Sequence, residues 1–146
     1  MQLRAATARD AASIRALLES GGLPTSDLSM SAPQFVVACD GEDEIVAAGA
    51  LQTVGESALL RSVVVAAELR GTGIGRSIVQ ELERIARAAQ VKQLALLTLT
   101  ARRFFECQGY RVIARQAVPE ALQGTEEFRS LCPASAVCMA KSLADI

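Results

Sequence analysis

The sequence predicts one α/β domain in which strands and helices alternate along the chain. Short apolar runs bounded by turn residues are typical of buried strands, as at 35–39 and 57–66. Apolar side chains recur at helical spacing from Ile74 to Ala89, which indicates a long amphipathic helix. The chain has 146 residues, 51% of them hydrophobic, and we find no linker, repeat or low-complexity run. We therefore assign residues 1–146 to a single domain.

The first two elements are a short strand, Leu3 to Ala5, and an amphipathic helix. Thr7 is the expected N-cap of this helix, and Asp10, three residues later, supplies a weaker form of the capping box. Four residues form the apolar face: Ala11, Ile14, Leu17 and Leu18. The Gly21-Gly22 pair ends the helix. The next segment, 24–33, consists of small and polar residues and predicts a loop or a short helix that covers the functional site.

Three strands are predicted next, over residues 35–39, 44–53 and 57–66, with turns at Asp40-Gly41 and at Gly55. The third is apolar enough to be a central strand. The long helix that follows has a polar face that we expect to lie in solvent: Arg76, Gln80, Glu83, Arg84 and Arg87. On this face Glu83 and Arg87 form a favourable i,i+4 pair.

The last third of the chain predicts four short elements and one more helical region. A strand at 93–99 is followed by a short helix that Thr100 caps and Gly109 ends. Residues 110–115 predict a strand, 119–129 helical turns and 136–141 a final strand.

Composition excludes several classes of function. The chain has no histidine, which rules out Ser-His-Asp and Cys-His nucleophiles and histidine-ligated zinc. Its 15 basic and 16 acidic side chains leave no basic surplus for nucleic-acid binding. No stretch reaches the roughly 18 continuous apolar residues of a membrane span, and the N-terminus lacks a signal-peptide layout. The sequence thus predicts a cytoplasmic protein without a nucleic-acid or membrane partner.

The cysteines suggest no metal site and no disulfide. Cys39, Cys107, Cys132 and Cys138 form no Cys-x-x-Cys pair. In a chain without histidine or a secretion signal, we expect all four to be reduced, buried thiols that pack as small apolar side chains.

A glycine-rich segment, residues 70–76, joins the central strand to the long helix and reads Arg-Gly-Thr-Gly-Ile-Gly-Arg. A dinucleotide fingerprint would need glycine at 76 or 78, and the Gly-Lys-Ser/Thr of a P-loop is absent. Alternating glycines let the backbone bend closely around a ligand, and N–H groups at a helix start attract anions. Arg70 and Arg76 add positive charge. The segment therefore predicts a site for a pyrophosphate.

The run from Val63 to Gly75 resembles motif A of the GCN5-related N-acetyltransferase (GNAT) superfamily. The N-terminal LRAATARDAASIRALL is similar to the first strand and helix of that superfamily, and Leu97 to Tyr110 to its second acetyl-CoA motif. The segment from Leu96 to Tyr110 is also similar to the amino-acid acetylating branch, including the acetyltransferase domain of N-acetylglutamate synthase. The tail from Glu127 to Met139 resembles the small arsenic-resistance N-acetyltransferases.

The resemblance implies the GNAT fold, a mixed central β-sheet flanked by helices and splayed between the fourth and fifth strands. Acetyl-CoA would lie along the splayed strand, with its pantetheine amides paired to backbone groups of Val63 and Val65 while Val64 turns the other way. Arg70 and the loop N–H groups would hold the pyrophosphate: those of Gly71, Thr72, Gly73, Ile74, Gly75 and Arg76. The resemblance implies no metal.

A catalytic residue does not carry over from the family. Many relatives place a tyrosine acid where this chain has Phe105, and Tyr110 suits the core as well as catalysis. A thiolate with a pKa near ~8.5 can leave without an acid, whereas the acceptor amine must lose a proton. The family often keeps a glutamate in or beside the strand before motif A, and only Glu56 could serve here. Glu56 and Tyr110 are therefore the catalytic candidates.

Arg61 is the main candidate for binding the acceptor. A charge inside an apolar strand needs an anion, either a substrate carboxylate or a protein carboxylate such as Glu126 or Glu127. Three hydroxyl side chains could hydrogen-bond acceptor or cofactor: Ser62, Thr98 and Thr100.

These features predict an enzyme that moves acetyl from acetyl-CoA directly to a small amino-acid-like amine in a ternary complex. An arsenical or glutamate-analogue amino acid is the sharpest acceptor that the resemblance implies. Two alternatives stay open: a protein or peptide N-acetyltransferase, and a non-catalytic acyl-CoA sensor, which Phe105 would suit. A homodimer is compatible with the sequence.

Overall fold

The fold is built on one mixed β-sheet with helices on both faces. A computed structural model describes residues 2–22, 34–125 and 136–143. The strands are β1 (Gln2–Ala5), β2 (Gln34–Cys39), β3 (Ile45–Val54), β4 (Ser57–Val65), β5 (Gln93–Thr98), β6 (Arg111–Val112) and β7 (Val137–Ser142). The helices are α1 (Ala11–Ser20), α2 (Ile74–Ala88), α3 (Arg102–Cys107) and α4 (Glu120–Gln123).

The strand order within the described residues is β1-β2-β3-β4-β5-β7-β6, so β4 is central, as its apolar sequence predicts. All neighbours are antiparallel except β4 and β5. The predicted strand at 110–115 is shorter than expected, because only Arg111 and Val112 pair with β7. The predicted loop at 24–33, the tail from 126 to 135 and Glu126 and Glu127 lie outside the described residues.

The two faces of the sheet pack against different helices. Leu60 belongs to the main apolar core, to which α2 contributes Ile78 and Leu82. Its neighbour Leu59 points to the opposite face and packs with Leu122 of α4. The apolar residues of α1 also lie on that opposite face, in a cluster with Val37 and Val64. We call these the α2 face and the α1/α4 face. No helix in the described ranges is long and apolar enough to cross a membrane.

The entry into α1 follows the predicted capping box, with an added ion pair. The Thr7 N–H donates to Asp10 Oδ2 at 2.7 Å, which caps a 3-10 turn directly before α1. Arg4 donates to both carboxylate oxygens of Asp10 at 2.8 and 3.1 Å. These bonds hold the pKa of the Asp10 carboxyl well below its usual range, the Arg4 bond contributing most. The contacts fix the end of β1 to the start of α1.

Candidate functional site

β4 and β5 pair as parallel neighbours only near their starts. The paired residues are Ser57 with Gln93, Ala58 with Leu94 and Leu59 with Ala95. β5 stays paired with β7 along its whole length, while β4 continues to Val65 without β5 beside it. The backbone of residues 60–65 that faces β5, here called the open edge, is therefore left without a neighbouring strand. The splay between the fourth and fifth strands is confirmed.

A β-bulge lies on β4 within the open edge. The register with β3 shifts between Ala48 and Ala50, so two residues, Ser62 and Val63, lie opposite Gly49. Ser62 has a φ of 57°, a left-handed conformation that few residues other than glycine adopt. The bulge resets the alternation of backbone groups along the rest of the strand.

After the bulge, Val63 and Val65 turn their backbone groups away from β3. The Ala66 N–H donates to the Val46 carbonyl at 2.8 Å. In an antiparallel pair the hydrogen-bonded positions alternate, so Val64 also bonds toward β3. The N–H and C=O groups of Val63 and Val65 consequently point to the open edge.

The glycine-rich segment (residues 70–76) follows the open edge and starts α2. Gly71 and Gly73 have φ values of 82° and 92°, conformations that glycine adopts without strain. Gly73 directly precedes α2 and has no side chain to cap the first-turn N–H groups. Arg70 Nε donates to the Val65 carbonyl at 3.3 Å, and Arg76 is exposed. Free donors, a helix dipole and two cations thus converge at this end of β4.

Gly75 has a packing role that differs from that of the other two glycines. A Cβ built on Gly75 would lie 3.4 Å from both Phe104 Cζ and Val65 Cγ2. Phe104 in turn meets Phe105 edge-on, with ring centroids 5.0 Å apart. Phe105 is 6% exposed and belongs to the core of the α2 face. The absence of a side chain at 75 therefore lets α3 pack closely on the first turn of α2.

A cleft of about 400 Å³ opens between α2 and the end of α3. Its lining is polar and consists of Arg76, Gln80, Glu83, Cys107, Gln108 and Lys141. Since Arg76 lies in the first turn of α2, the cleft adjoins the glycine-rich segment.

Glu83 is buried, so the prediction that it lies on the solvent face of the long helix is wrong. Tyr110 Oη donates to its carboxylate at 2.8 Å, and Lys141 Nζ donates to both oxygens at 3.1 and 3.2 Å. Arg87 Nη1 lies 4.0 Å from the same carboxylate, as the predicted i,i+4 pair. Helical periodicity cannot anticipate this burial, because Tyr110 and Lys141 come from 27 and 58 residues further along.

Tyr110, one of the two catalytic candidates, is part of this network and not of the open edge. Its side chain is 3% exposed and its ring packs edge-on against Phe105 at 5.6 Å. Burial, together with the Glu83 carboxylate, raises the pKa of Tyr110. Its hydroxyl is directed at α2.

Glu56, the other catalytic candidate, lies at the opposite end of β4 from the glycine-rich segment. It occupies the turn before β4, is largely exposed and forms an ion pair with Lys92 at 3.4 Å. It precedes Val63 by seven positions, which at about 3.3 Å per residue of strand corresponds to about 23 Å. The structure does not bring Glu56 together with the open edge.

Arg61 lies where the two strands begin to separate, two residues beyond Leu59 in the last β4–β5 pair. It is only 3% exposed, as its position in an apolar strand predicts. Arg61 Nη1 donates to Gln52 Oε1 on β3 at 3.0 Å. Like Leu59, Arg61 projects from the α1/α4 face, opposite α2.

The three hydroxyl candidates are distributed around the gap. Ser62 is half-buried in the bulge next to Arg61. Thr98, at the end of β5, accepts a hydrogen bond from the Ala101 N–H at 3.0 Å. Thr100 is exposed, and the prediction that it caps α3 is wrong, because α3 begins at Arg102 and Ala101 is its N-cap residue.

A match to a family model identifies the protein family of this chain. A family model described as an acetyltransferase (GNAT) domain matches residues 31–112, which include the open edge and the glycine-rich segment. The chain belongs to the GNAT acetyltransferase family. It is therefore an enzyme that transfers an acetyl group. None of the curated proteins matches the sequence.

Solved structures share the fold over almost the whole chain. A Mycobacterium tuberculosis protein in complex with CoA has a TM-score of 0.80 at 22% identity, covering 98% of this chain and 99% of its own. N-acetylglutamate synthase from Neisseria gonorrhoeae, complexed with CoA and N-acetyl-glutamate, gives 0.81 at 17% identity, covering 99% of this chain and 35% of its own. An aminoglycoside 6'-N-acetyltransferase complexed with CoA gives 0.73 at 16% identity, with 100% and 99% covered.

The described cysteines differ in their surroundings. Cys39 and Cys138 are buried, as predicted, whereas Cys107 is exposed, which corrects the expectation of buried thiols throughout. Cys107 is the last residue of α3 and lines the polar cleft, which leaves its thiol open to solvent. Cys132 lies outside the described residues. In the part of the chain that the structure describes, no group of three or more potential ligands could hold a metal ion.

Two residues of the site, Gly49 and Gln52, have no role in the sequence prediction. A Cβ on Gly49 would lie 2.6 Å from Ile78 Cγ2 and 2.9 Å from Leu82 Cδ1, so α2 packs directly on the backbone opposite the bulge. A glycine inside a strand is itself a signal for a bulge or a close approach. Gln52 carries a weaker signal, a polar residue directly after an apolar run in a predicted strand.

Proposed function

We propose that this enzyme transfers the acetyl group of acetyl-CoA to the amino group of a small acceptor that carries a carboxylate. The observation that carries the proposal is the open edge of β4. It has a cluster of backbone donors and two arginines at one end and the buried Arg61 at the other.

The open edge supports a binding mode for acetyl-CoA. The outward N–H and C=O groups of Val63 and Val65 can pair with the pantetheine amides in the manner of the missing strand, while Val64 stays bonded to β3. Arg70 would release the Val65 carbonyl to a pantetheine amide and turn its charge to the pyrophosphate.

The glycine-rich segment and the adjoining cleft suit the nucleotide end of acetyl-CoA. The N–H groups from Gly71 to Arg76 lie at the positive end of the α2 dipole, where a pyrophosphate is favoured. The cleft of about 400 Å³ next to Arg76 has the size of a small-ligand pocket. With the nucleotide there, the thioester lies toward Ser62 and Arg61.

The chemistry is a direct transfer in a ternary complex. The acceptor nitrogen attacks the thioester carbonyl carbon, a C–N bond forms, and the C–S bond breaks with its electron pair leaving on the CoA thiolate. The amine gives up its proton to water, and the thiolate needs no dedicated acid because its pKa is near ~8.5.

The acceptor carboxylate would bind Arg61. A guanidinium offers two parallel hydrogen bonds to a carboxylate, so it orients the acceptor as well as attracting it. The amino-acid-like class fits this contact, and we propose an arsenical or glutamate-analogue amino acid as its sharpest member. The N-acetyl-glutamate bound to the structurally similar Neisseria gonorrhoeae enzyme supports the same class.

A thiol-release screen tests the proposal directly. Purified protein is incubated with acetyl-CoA and a panel of amino acids, amino-acid antimetabolites, their decarboxylated amines and N-terminal peptides. We expect turnover with carboxylate-bearing amines and poor turnover with the matched amines. Turnover of peptides alone would indicate that the acceptor is a protein or peptide and not a small molecule. No thiol release with any amine would contradict the whole proposal.

The variant Arg61→Lys tests the acceptor contact. Lysine keeps the charge but loses the bidentate geometry, so the KM for the best amino acid should rise about tenfold. The Kd for acetyl-CoA, measured by calorimetry, should change little, and the amine without a carboxylate should be indifferent to the substitution. Equal loss of affinity for both substrates would assign Arg61 to a structural ion pair and contradict this contact.

A further inference from the structure

We propose that Gln52 is a positioning residue that holds Arg61 for the acceptor and makes the site selective for anionic acceptors. This inference rests on the proposed function, in which Arg61 binds the acceptor carboxylate. It assigns to β3 a part in acceptor choice, whereas the acetyl-CoA contacts all come from β4, α2 and the segment between them.

The sheet register fixes the relation between the two side chains. Gln52 pairs with Leu59, and Arg61 pairs with Ala50, so Gln52 and Arg61 are diagonal neighbours on the same face of the β3–β4 pair. Their side chains meet at 3.0 Å, Nη1 to Oε1. Arg61 is also the last residue before the bulge begins at Ser62. A shift of one residue in the register would turn Gln52 to the α2 face and break the contact.

The chemistry of an amide explains why a glutamine is useful at this position. Its oxygen accepts a hydrogen bond from the guanidinium and orients it, but leaves the positive charge in place. A carboxylate at 52 would instead form a charged pair with Arg61 and compete with the carboxylate of the acceptor.

Orienting Arg61 before the acceptor arrives should increase affinity. A free arginine side chain loses considerable rotamer entropy when it is fixed, and a residue fixed in advance removes that cost from acceptor binding. Gln52 is half-buried and Arg61 is 3% exposed, so water competes weakly for their hydrogen bond. The positioning effect should therefore appear in KM for the acceptor and hardly in kcat.

The central experiment compares Gln52→Glu with Gln52→Met in the full-length enzyme. The amino acid that is turned over best and the same amine without its carboxylate serve as paired acceptors. We expect Gln52→Glu to raise the KM for the amino acid about tenfold or more and to shift the preference toward the amine without a carboxylate. Gln52→Met, which keeps the side-chain length but accepts no hydrogen bond of comparable strength, should raise the same KM several-fold without shifting the preference as far.

Two measurements separate positioning from damage to the fold. The Kd for acetyl-CoA and the kcat at saturating acceptor should stay close to wild type in both variants. Gln93→Glu is the matched control, because it makes the same charge change on a half-buried glutamine at the paired end of β5, away from Arg61. It should leave the acceptor preference unchanged.

The outcomes distinguish this inference from the function on which it rests. If Arg61→Lys raises the acceptor KM but both Gln52 variants leave it unchanged, Gln52 has no positioning role and the inference is overturned. If the Gln52 variants lose acetyl-CoA affinity and kcat in parallel with acceptor affinity, the effect is structural and the inference is also overturned. If Arg61→Lys itself leaves the KM for the acceptor unchanged, the proposed contact between Arg61 and the acceptor carboxylate is contradicted, and the inference about Gln52 loses its basis.

Discussion

The contact between Tyr110 and Glu83 argues against a catalytic role for the tyrosine, because its hydroxyl donates to that buried carboxylate. A phenol that serves as a general acid must give its proton to a leaving group in the transition state. Here the hydroxyl is held against α2, and burial together with the carboxylate raises the pKa of Tyr110. Both effects keep the proton on Tyr110, so we propose that this residue stabilises the fold and does not act as an acid.

Tyr110→Phe should therefore leave catalysis nearly intact and lower stability. We expect kcat/KM within about threefold of wild type, far from the 100-fold or greater loss that removal of a general acid causes. The free energy of unfolding should fall by about 1–3 kcal/mol, since the buried carboxylate loses a donor but keeps Lys141. Steady-state kinetics and urea titration measure the two effects, and a 100-fold loss of kcat/KM in a folded variant would restore Tyr110 as the acid.

The same residue predicts a dependence of stability on alkaline pH. A pKa raised by folding means that the folded state keeps its proton when the unfolded state begins to lose it, near pH ~10. The stability that Tyr110 contributes is thus fully present below pH ~10 and declines as the pH rises further. The stability difference between wild type and Tyr110→Phe should shrink over that range, and a difference that grows with pH would contradict the assignment.

At the scale of single residues, the sequence predicted the burial of Arg61 but not its neighbour. The burial of Arg61 is predictable because the residues around it in the sequence are apolar and indicate a buried strand. Gln52 is found only when the register of β3 on β4 is known, and that register runs unshifted from the turn between the two strands to the pair Ala50–Arg61. Glu83 was misplaced for a similar reason, since its partners lie on distant elements.

At the scale of elements, β4, the glycine-rich segment and α2 are consecutive in the chain and form one structural unit. The bulge aims two backbone units at the gap, and the glycines turn the chain so that α2 starts beside them. Gly49 lets α2 lie directly on the sheet at the same level. The order of these elements and most of their bounds were predictable from apolar periodicity. The bulge left only an indirect signal, the glycine at 49, because it arises from pairing between strands.

Gly73→Val tests this unit at a position where the backbone has a left-handed conformation, directly before α2. The left-handed φ of 92° strains any residue with a Cβ by about 1–2 kcal/mol, and a β-branched side chain also projects into space where a pyrophosphate would approach. The Kd for acetyl-CoA should rise about tenfold or more. Calorimetry with acetyl-CoA measures this, with circular dichroism to establish folding.

Gly55→Val is the matched control for that variant. Gly55 also has a left-handed φ, 65°, and both positions have no atom within 4 Å of an added Cβ. It lies in the turn before β4, at the paired end of the strand. Gly55→Val should therefore lose comparable stability but bind acetyl-CoA like wild type. An unchanged affinity in Gly73→Val, or an equal loss in both variants, would remove the glycine-rich segment from the acetyl-CoA site.

At the scale of the whole molecule, the splayed sheet divides the site between its two faces. Val63 and Val65 contribute side chains to the core of the α2 face, and the polar cleft beside α2 adjoins it. Arg61 projects to the α1/α4 face. In the proposed function the cofactor therefore approaches along the α2 side and the acceptor from the other, meeting where β4 and β5 separate. Composition and periodicity alone predicted an α/β domain. The splay itself came from the resemblance, because a gap between strands leaves no periodic trace in a sequence.

The ionisable groups of the chain and of the acceptor predict the pH dependence of the reaction. The chain has no histidine, and the pKa of Tyr110 is raised, so neither supplies an acid that is lost between pH 7 and 9. The acceptor must react as the free amine; the α-amino pKa is about 7.7–8.0 at a peptide N-terminus and higher in a free amino acid, because the carboxylate beside the amine stabilises the ammonium form. The value of kcat/KM for the acceptor should consequently rise with pH toward the pKa of the amine and then level off, without a falling limb below about pH 9. Acceptors whose amines differ in pKa should shift the midpoint of the rise by the same amount. A descending limb near pH 8 that persists with every acceptor would instead require a protein acid, and it would show that the departing thiolate needs help that this proposal omits.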